Sequence, residues 1–245
     1  GSIHHYRENF SRPFNITYED EKGEHRFVHQ TTFGMSERLV GAVVAVHGDD
    51  KGLVLPPAIS PFQVVIVPIP TKGNVERVAE ECQRLRAELA AAGLRVKLDD
   101  GDERPGSKFN NWEIRGVPLR LELGMRDIEG GKVAYARRDT GGKGALDRSA
   151  IVPQVHEVLR AIAVDMRARA ATASGAAIQD LDSLDRVPEK VVRFGWCGEE
   201  ECGHRFEERT GLKMLGTPYL KEEYRGRCVV CGREVDRAAY AARSM

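Results

Sequence analysis

The chain has 245 residues, with 37 basic and 37 acidic side chains and no formal net charge. That length accommodates one large domain or two modest ones, each able to bury a core, and the neutral balance excludes nucleic-acid binding by net charge alone while leaving room for local basic patches. The longest apolar runs, such as VVIVPIP at 64–70, are far too short to span a membrane; no secretory signal opens the chain, and a cytoplasmic location is expected.

Residues 3–33 mix histidine, aromatic and charged side chains. FNITYED and HRFVHQTTF read as strands joined by a turn at EDEKGE, centred on Gly23. MSERLVGAVVAV (35–46) reads as a helix that Ser36 is placed to cap. HGDDKGLVLPP then leaves through Pro56 and Pro57, which cannot continue regular structure, so a domain boundary is expected at 57–61. From Phe62 the pattern changes. FQVVIVPIP reads as a buried strand, and 74–92 as a helix with Val78, Leu85 and Leu89 on one side and Gly93 as its stop. LRVKLDD is a strand, KFNNWEIRG a short helix, PLRLELG and KVAYARRD two more strands, and 147–171 a closing helix. Strands alternating with helices predict an open α/β sheet. SGAAIQDLDSLDRVPE (174–189) reads as a linker holding a short helix, and no internal repeat is evident.

Two stretches carry chemistry. In RPGSKFNNWEIRGVPLRLELGMRD (104–127), Leu119, Leu121 and Leu123 fall on one face of a strand and Arg120 and Glu122 on the other. Between Arg104 and Lys143 stand nine Lys or Arg and five Asp or Glu. A solvated amphipathic strand is the plain reading. A polar face offering donors and acceptors to base edges is the functional one, because a phosphate binder has no use for carboxylates. Phe109 and Trp112 fit stacking on bases but fit a core better.

The second stretch is the cysteines. Cys82 stands alone in a helical segment, as a buried or half-buried thiol. The other four form CGEEEC (197–202) and CVVC (228–231), with 25 residues between the pairs. In a chain without a secretory signal this spacing points to a metal rather than to disulfides. Thiolates at Cys197, Cys202, Cys228 and Cys231 suit tetrahedral Zn²⁺ in a closed, structural shell; His204 is a weaker competitor.

These blocks, in order, resemble one family. TTFGMSERLVGAVVAVHGDDKGLVLPP (31–57) is similar to the third motif of class II aminoacyl-tRNA synthetases in its prolyl form. The 104–127 stretch, continued through KVAYARRDTGGK, resembles that family's anticodon-binding domain, and CGEEEC…CVVC with AAYAAR resembles the C-terminal zinc module of the eukaryotic and archaeal-type prolyl enzymes. GSIHHYRENF resembles a catalytic-domain segment with a His-His pair before Asn-Phe. The resemblance implies three parts: 1–60 as part of an antiparallel class II catalytic sheet, 61–172 as a mixed open-sheet anticodon-binding domain, and 173–245 as a small α+β zinc module. The motifs for dimerisation and for binding ATP with the tRNA acceptor end are not in this sequence.

By resemblance, Arg38 meets the ATP phosphates. Ser2, His4, Thr31, Thr32, Gly34 and Ser36 belong to the ATP- and proline-binding pocket, with Mg²⁺ bridging phosphates. Glu113, Arg120, Arg126 and Asp127 match anticodon-reading positions, with Lys143 as an additional contact. Proline anticodons share two adjacent guanines, whose edges suit Arg or Lys on one side and a carboxylate on the other. The implied parent is a homodimeric proline–tRNA ligase acting on L-proline, ATP and tRNA-Pro, and this chain by itself is expected to bind tRNA without aminoacylating it. One departure is the ending Arg243-Ser244-Met245, where the family usually ends in Tyr. The alternatives are a non-catalytic RNA-binding accessory protein that keeps the anticodon domain, disfavoured by Arg38, and a threonyl, histidyl or glycyl synthetase, disfavoured by KFNNWEIRGVP and the cysteines.

Overall fold

A computed structural model describes residues 2–220 and 222–243; Ser244 and Met245, on which the unusual ending rests, lie outside the described residues. One compact unit extends to Met166 and a second starts at Arg167.

The first unit opens with two small antiparallel ribbons. β1 (Ser2–Arg7) pairs with β4 (Gln30–Gly34), and between them β2 (Thr17–Glu19) and β3 (His25–Phe27) form a hairpin. The hairpin turns through Gly23 at a φ of 78°, in the left-handed region that glycine enters without strain. HRFVHQTTF is therefore two strands in two ribbons, not one. α1 (Arg38–His47) follows, with Glu37 at its N-cap position and no side-chain cap, so Ser36 does not cap it. None of the residues of α1 is buried, and Leu39, Val40 and Val46 are exposed.

The five-stranded sheet comes next: β5 (Val64–Ile69), β6 (Val96–Leu98), β7 (Leu119–Gly124), β8 (Lys132–Arg137) and β9 (Lys143–Asp147), in the order β6-β5-β7-β8-β9. β6, β5 and β7 run parallel, while β8 and β9 join antiparallel, so the sheet is mixed. The parallel crossovers are α2 (Val75–Ala91) and α3 (Pro105–Ile114), on opposite faces. α2 buries Val78, Cys82, Leu85 and Leu89, one per turn, against Val64, Ile66 and the leucines of β7. α5 (Ile151–Ala176) covers the same face with Ile151, Val155, Leu159, Ile162 and Met166. On the other face α3 lays Trp112 on Val65, Val67 and Val117. β5 is thus buried on both sides, which explains its continuous apolar run.

Among the elements that sequence reading missed are two around the five-stranded sheet. β9 has only Leu146 buried and begins Lys-Gly, so no alternation marks it. α4 (Met125–Glu129) is too short for a period; it is held by its own carboxylate, with Gly124 N–H donating to Asp127 Oδ2 at 2.9 Å. The closing helix starts at Ile151 and reaches Ala176, later at both ends than expected.

A close approach locks 49–55 onto the end of α3. Leu53 N–H donates to the Ile114 carbonyl at 2.9 Å. Gly116 has a φ of 71°, and a Cβ there would lie 2.7 Å from the Leu53 carbonyl. Gly116→Ala is expected to cost at least about 1–2 kcal/mol, from the left-handed backbone alone. A lower urea midpoint checks this, and an unchanged midpoint contradicts it.

In the second unit β10 (Ile178–Asp180), β11 (Val191–Gly195), α6 (Glu200–Thr210), β12 (Lys213–Gly216), the short β13 (Gly226–Arg227) and β14 (Glu234–Val235), and β15 (Ala238–Ala242) follow in sequence. Four form a sheet in the order β10-β11-β15-β12, with β10 and β11 parallel. Phe194 and Phe206 stack at 4.1 Å between centroids, over the small Ala239 and Ala241. The stretch 174–189 is a correction: past Ala176 it holds no helix, but a strand and two core residues, Leu181 and Leu184. Its polar composition hid the strand, because only single apolar residues dock. Among the described residues no helix is long and apolar enough to cross a membrane.

Candidate functional site

The β1–β4 ribbon places most of the first set of candidates together. His4 pairs with Thr32 and Ser2 with Gly34, so these four share one face of the ribbon. Thr31 pairs with His5 and lies on the opposite face. Ser36 and Arg38 follow in the turn and first residue of α1, both exposed.

The second set is built by strand register. Val65 on β5 pairs with Arg120 on β7, Arg120 with Ala136 on β8, and Ala136 with Lys143 on β9. This row crosses the sheet on the α3 face, with Arg120 and Lys143 two strands apart, roughly 10 Å. The small Ala136 between them leaves a hollow. Phe109, Trp112 and Glu113 wall it from α3, Arg138 and Gly141 from the β8–β9 turn, and Lys51 from the turn after α1; its volume is about 290 Å³.

The floor is apolar and the rim carries both signs. Arg120 lies flat over Phe109, with Cζ 3.9 Å from the ring centroid, and its Nε donates to Glu122 Oε1 at 2.9 Å. The guanidinium is thereby held at the cavity by a cation–π contact and one carboxylate. Lys51 Nζ lies 3.4 Å from Glu113 Oε1. Lys143 has no ion-pair partner among the described residues.

Arg138 is the deepest charge in the cavity. It donates to both oxygens of Asp49, at 2.8 and 2.5 Å, and through Nε to the Glu113 carbonyl at 2.8 Å. The hydrogen bonds from Arg138, chiefly, bring the Asp49 carboxyl down to about 2. Arg137 is tied to Asp139 and Asp165, and the Asp139 hydrogen bonds first of all push its ionisation upward.

Three sequence expectations are thus joined, Glu113, Arg120 and Lys143. Arg126 and Asp127 stand on α4, away from the lining, and the Asp127 carboxylate is engaged in capping Gly124. Trp112 is a core residue, its Nε1 donating to Asp99 Oδ2 at 2.6 Å, and Lys108 is buried beside the same aspartate. Asp49, Lys51 and Arg138 had not been singled out. The Arg137-Arg138 doublet was a visible signal; Asp49 and Lys51 lie before the proline boundary and offered none.

In the second unit the four sulfurs of Cys197, Cys202, Cys228 and Cys231 lie within 4.8 Å of one another. Cys202 sits in the first turn of α6, and Gly198 at a φ of 88° turns the chain between Cys197 and that helix. Cys228 and Cys231 flank the turn of the β13–β14 hairpin, with Gly232 N–H donating to the Cys228 carbonyl at 2.8 Å. Burial, then the neighbouring sulfurs, push the Cys202 thiol up to about 12. Burial also raises Cys228, but backbone N–H groups of Cys231, Val230 and Cys197 prevail and bring it down to about 7. A tetrahedral metal–thiolate shell places sulfurs about 3.8 Å apart, so the spread fits a single ion. His204 stays outside, exposed and 3.5 Å from Glu200.

Residues 63–158 match the family described as "Anticodon binding domain", and residues 184–245 that described as "Prolyl-tRNA synthetase, C-terminal". The chain is 47% identical to a proline–tRNA ligase of Thermococcus kodakarensis and 45% identical to one of Pyrococcus abyssi, over all of this chain and 53% of each relative. Identity to the Methanothermobacter thermautotrophicus ligase is 44%, over 96% of this chain and 49% of that protein. The chain spans about half the length of the curated relatives it matches. With two family matches in order and these relatives aligned along its whole length, the chain belongs to the prolyl-tRNA synthetase family, of which it carries the anticodon-binding and C-terminal parts.

Proposed function

We propose that this chain is the tRNA-reading part of a proline–tRNA ligase, which joins L-proline to tRNA-Pro through an ATP-derived prolyl-adenylate. The observation that carries the reading is the cavity: Arg120 laid on Phe109, with Glu113 and Lys143 across the hollow, inside a domain matching the anticodon-binding family. Unstacked loop bases are read on their edges by such mixed-sign groups, while the cations attract the phosphates between them. Arg126 and Asp127 would meet a neighbouring nucleotide beyond the cavity.

In the same reading, 1–60 completes a class II antiparallel catalytic sheet, 61–172 is the anticodon-binding domain and 173–245 the zinc module. Arg38 would offset charge on the ATP phosphates, with Mg²⁺ bridging them, and the ribbon face of Ser2, His4, Thr32 and Gly34 would meet proline and ATP alongside Thr31 and Ser36. The exposed apolar side chains of that ribbon and of α1 suit coverage by the rest of the protein and by its homodimer partner. The cysteines would hold Zn²⁺, which supplies a structural crosslink in a closed shell. Metal analysis should return about one zinc per chain.

The reading is tested by filter binding of this chain to a proline-tRNA transcript and to one with both anticodon guanines replaced, at fixed salt. A loss of about tenfold or more, or about 1.4 kcal/mol, is expected on replacement. Arg120→Ala should weaken only the first complex, by about 1–3 kcal/mol. An equal loss on both would reduce Arg120 to a phosphate contact.

A further inference from the structure

Asp49 and Lys51 precede residues 63–158, the part that matches the anticodon-binding family, yet both act on its cavity. They reach it because the 49–55 turn is clamped to the end of α3. Gly52, at a φ of 126°, leaves no room for a Cβ against Ile114, and Leu53 N–H donates to the Ile114 carbonyl. The turn is therefore a fixed wall of the cavity.

Glu113 is held in two different ways. Its carbonyl accepts from Arg138, whose side chain is 4% exposed and whose other donors are taken by Asp49. Each nitrogen of that guanidinium has a partner within the protein, so Arg138 acts as a brace, and Asp49 offsets its charge. The Glu113 carboxylate, in contrast, has a single ion-pair partner among the described residues, Lys51, at 3.4 Å on a side chain 68% exposed. Such a pair is worth little and exchanges readily. The backbone of Glu113 is rigid and its carboxylate is free to change partners.

We propose that Lys51 is a specificity-determining residue of the cavity and Asp49 a positioning residue for it. Lys51 loosely neutralises the Glu113 carboxylate at the hollow and screens its repulsion of incoming phosphates. When a base presents an N–H edge to Glu113, the ammonium moves to the adjacent phosphate or base acceptor. Asp49, through Arg138, fixes the main chain from which Glu113 reads. This rests on the cavity's being the anticodon site.

The test measures binding of the chain and its Lys51→Ala, Asp49→Asn and Asp49→Glu variants to the two transcripts described above, each variant first checked by thermal melting. Lys51 is exposed, so its replacement leaves folding intact. Lys51→Ala is expected to lower the ratio of the two affinities at least threefold. Asp49→Asn should lower it as much without weakening the guanine-replaced complex, since an unneutralised Arg138 adds positive charge; a merely structural loss would weaken both. Asp49→Glu should recover part of the ratio. Unchanged ratios in Lys51→Ala and Asp49→Asn, or equal losses on both transcripts, overturn the inference. Failure of the unmodified chain to discriminate overturns the functional reading itself.

Discussion

Replacing Cys228 with serine, or treating the chain with a chelator, is expected to unfold the unit that starts at Arg167. Its buried apolar core is small: Leu181, Leu184, Val192, Phe194, Phe206, Leu212 and two alanines. A core of that size supplies little net stability once chain entropy is subtracted. Sharing one metal, the four cysteines would join the start of α6 to the β13–β14 hairpin, segments with no regular pairing between them among the described residues. Structural zinc in small modules contributes apparent binding free energies of about 10–16 kcal/mol near neutral pH, all of it available to folding. Losing one of four ligands forfeits a large share. Cys228 matters most, being buried and already supplied with backbone donors that favour its thiolate. Hydrogen exchange at β11 and β15 is the check: protection there should collapse, while β5 and β7 stay protected. Retained protection at β11 and β15 after chelation would refute a structural metal.

The second large effect is expected at Asp49. Asp49→Ala leaves the buried Arg138 guanidinium with only the Glu113 carbonyl as partner; because Asp49 itself is half-exposed, the expected cost is below the about 3–5 kcal/mol of a fully buried pair. Arg138→Met should cost less, because the Asp49 side chain is 47% exposed and regains water. The pH dependence follows from the depressed carboxyl. Asp49 sits at about 2 in the folded chain, against about 3.9 when unfolded. Its contribution is therefore fully present above about pH 4 and is lost as the pH falls toward 2. Acid unfolding curves should show the unmodified chain losing stability through that window, and Asp49→Asn losing correspondingly less. Parallel curves would mean that the pair adds nothing.

The two sites differ in how far the sequence announced them. CGEEEC and CVVC named all four clustered cysteines, because such spacing is a local property carried by two tight turns. The alternation of Leu119, Leu121 and Leu123 with Arg120 and Glu122 likewise disclosed β7 and its polar face, and the period of Val78, Leu85 and Leu89 disclosed α2. The cavity was only partly legible. Glu113, Arg120 and Lys143 came through resemblance, whereas the hollow itself exists because Ala136 lies between Arg120 and Lys143 across three strands. Lys108 carries the same charge as Lys143 and sits in an equally polar stretch, but it is buried against Asp99. Strand β10 was hidden because it stays largely exposed at the sheet edge and is defined only by its parallel pairing with β11, thirteen positions later.

What this sequence determined by itself are the features written in neighbouring residues: the strand and helix periods, the turns at glycine, and the cysteine spacing. What only the tertiary structure decided is which charges meet. Asp49 and Arg138 are 89 positions apart, and no local pattern relates them. The register of β5, β7, β8 and β9 and the clamp of 49–55 on α3 bring them together. Once they meet, the burial of Arg138 makes that one pairing worth more than the fully exposed ion pairs around it, although Asp49 keeps contact with water.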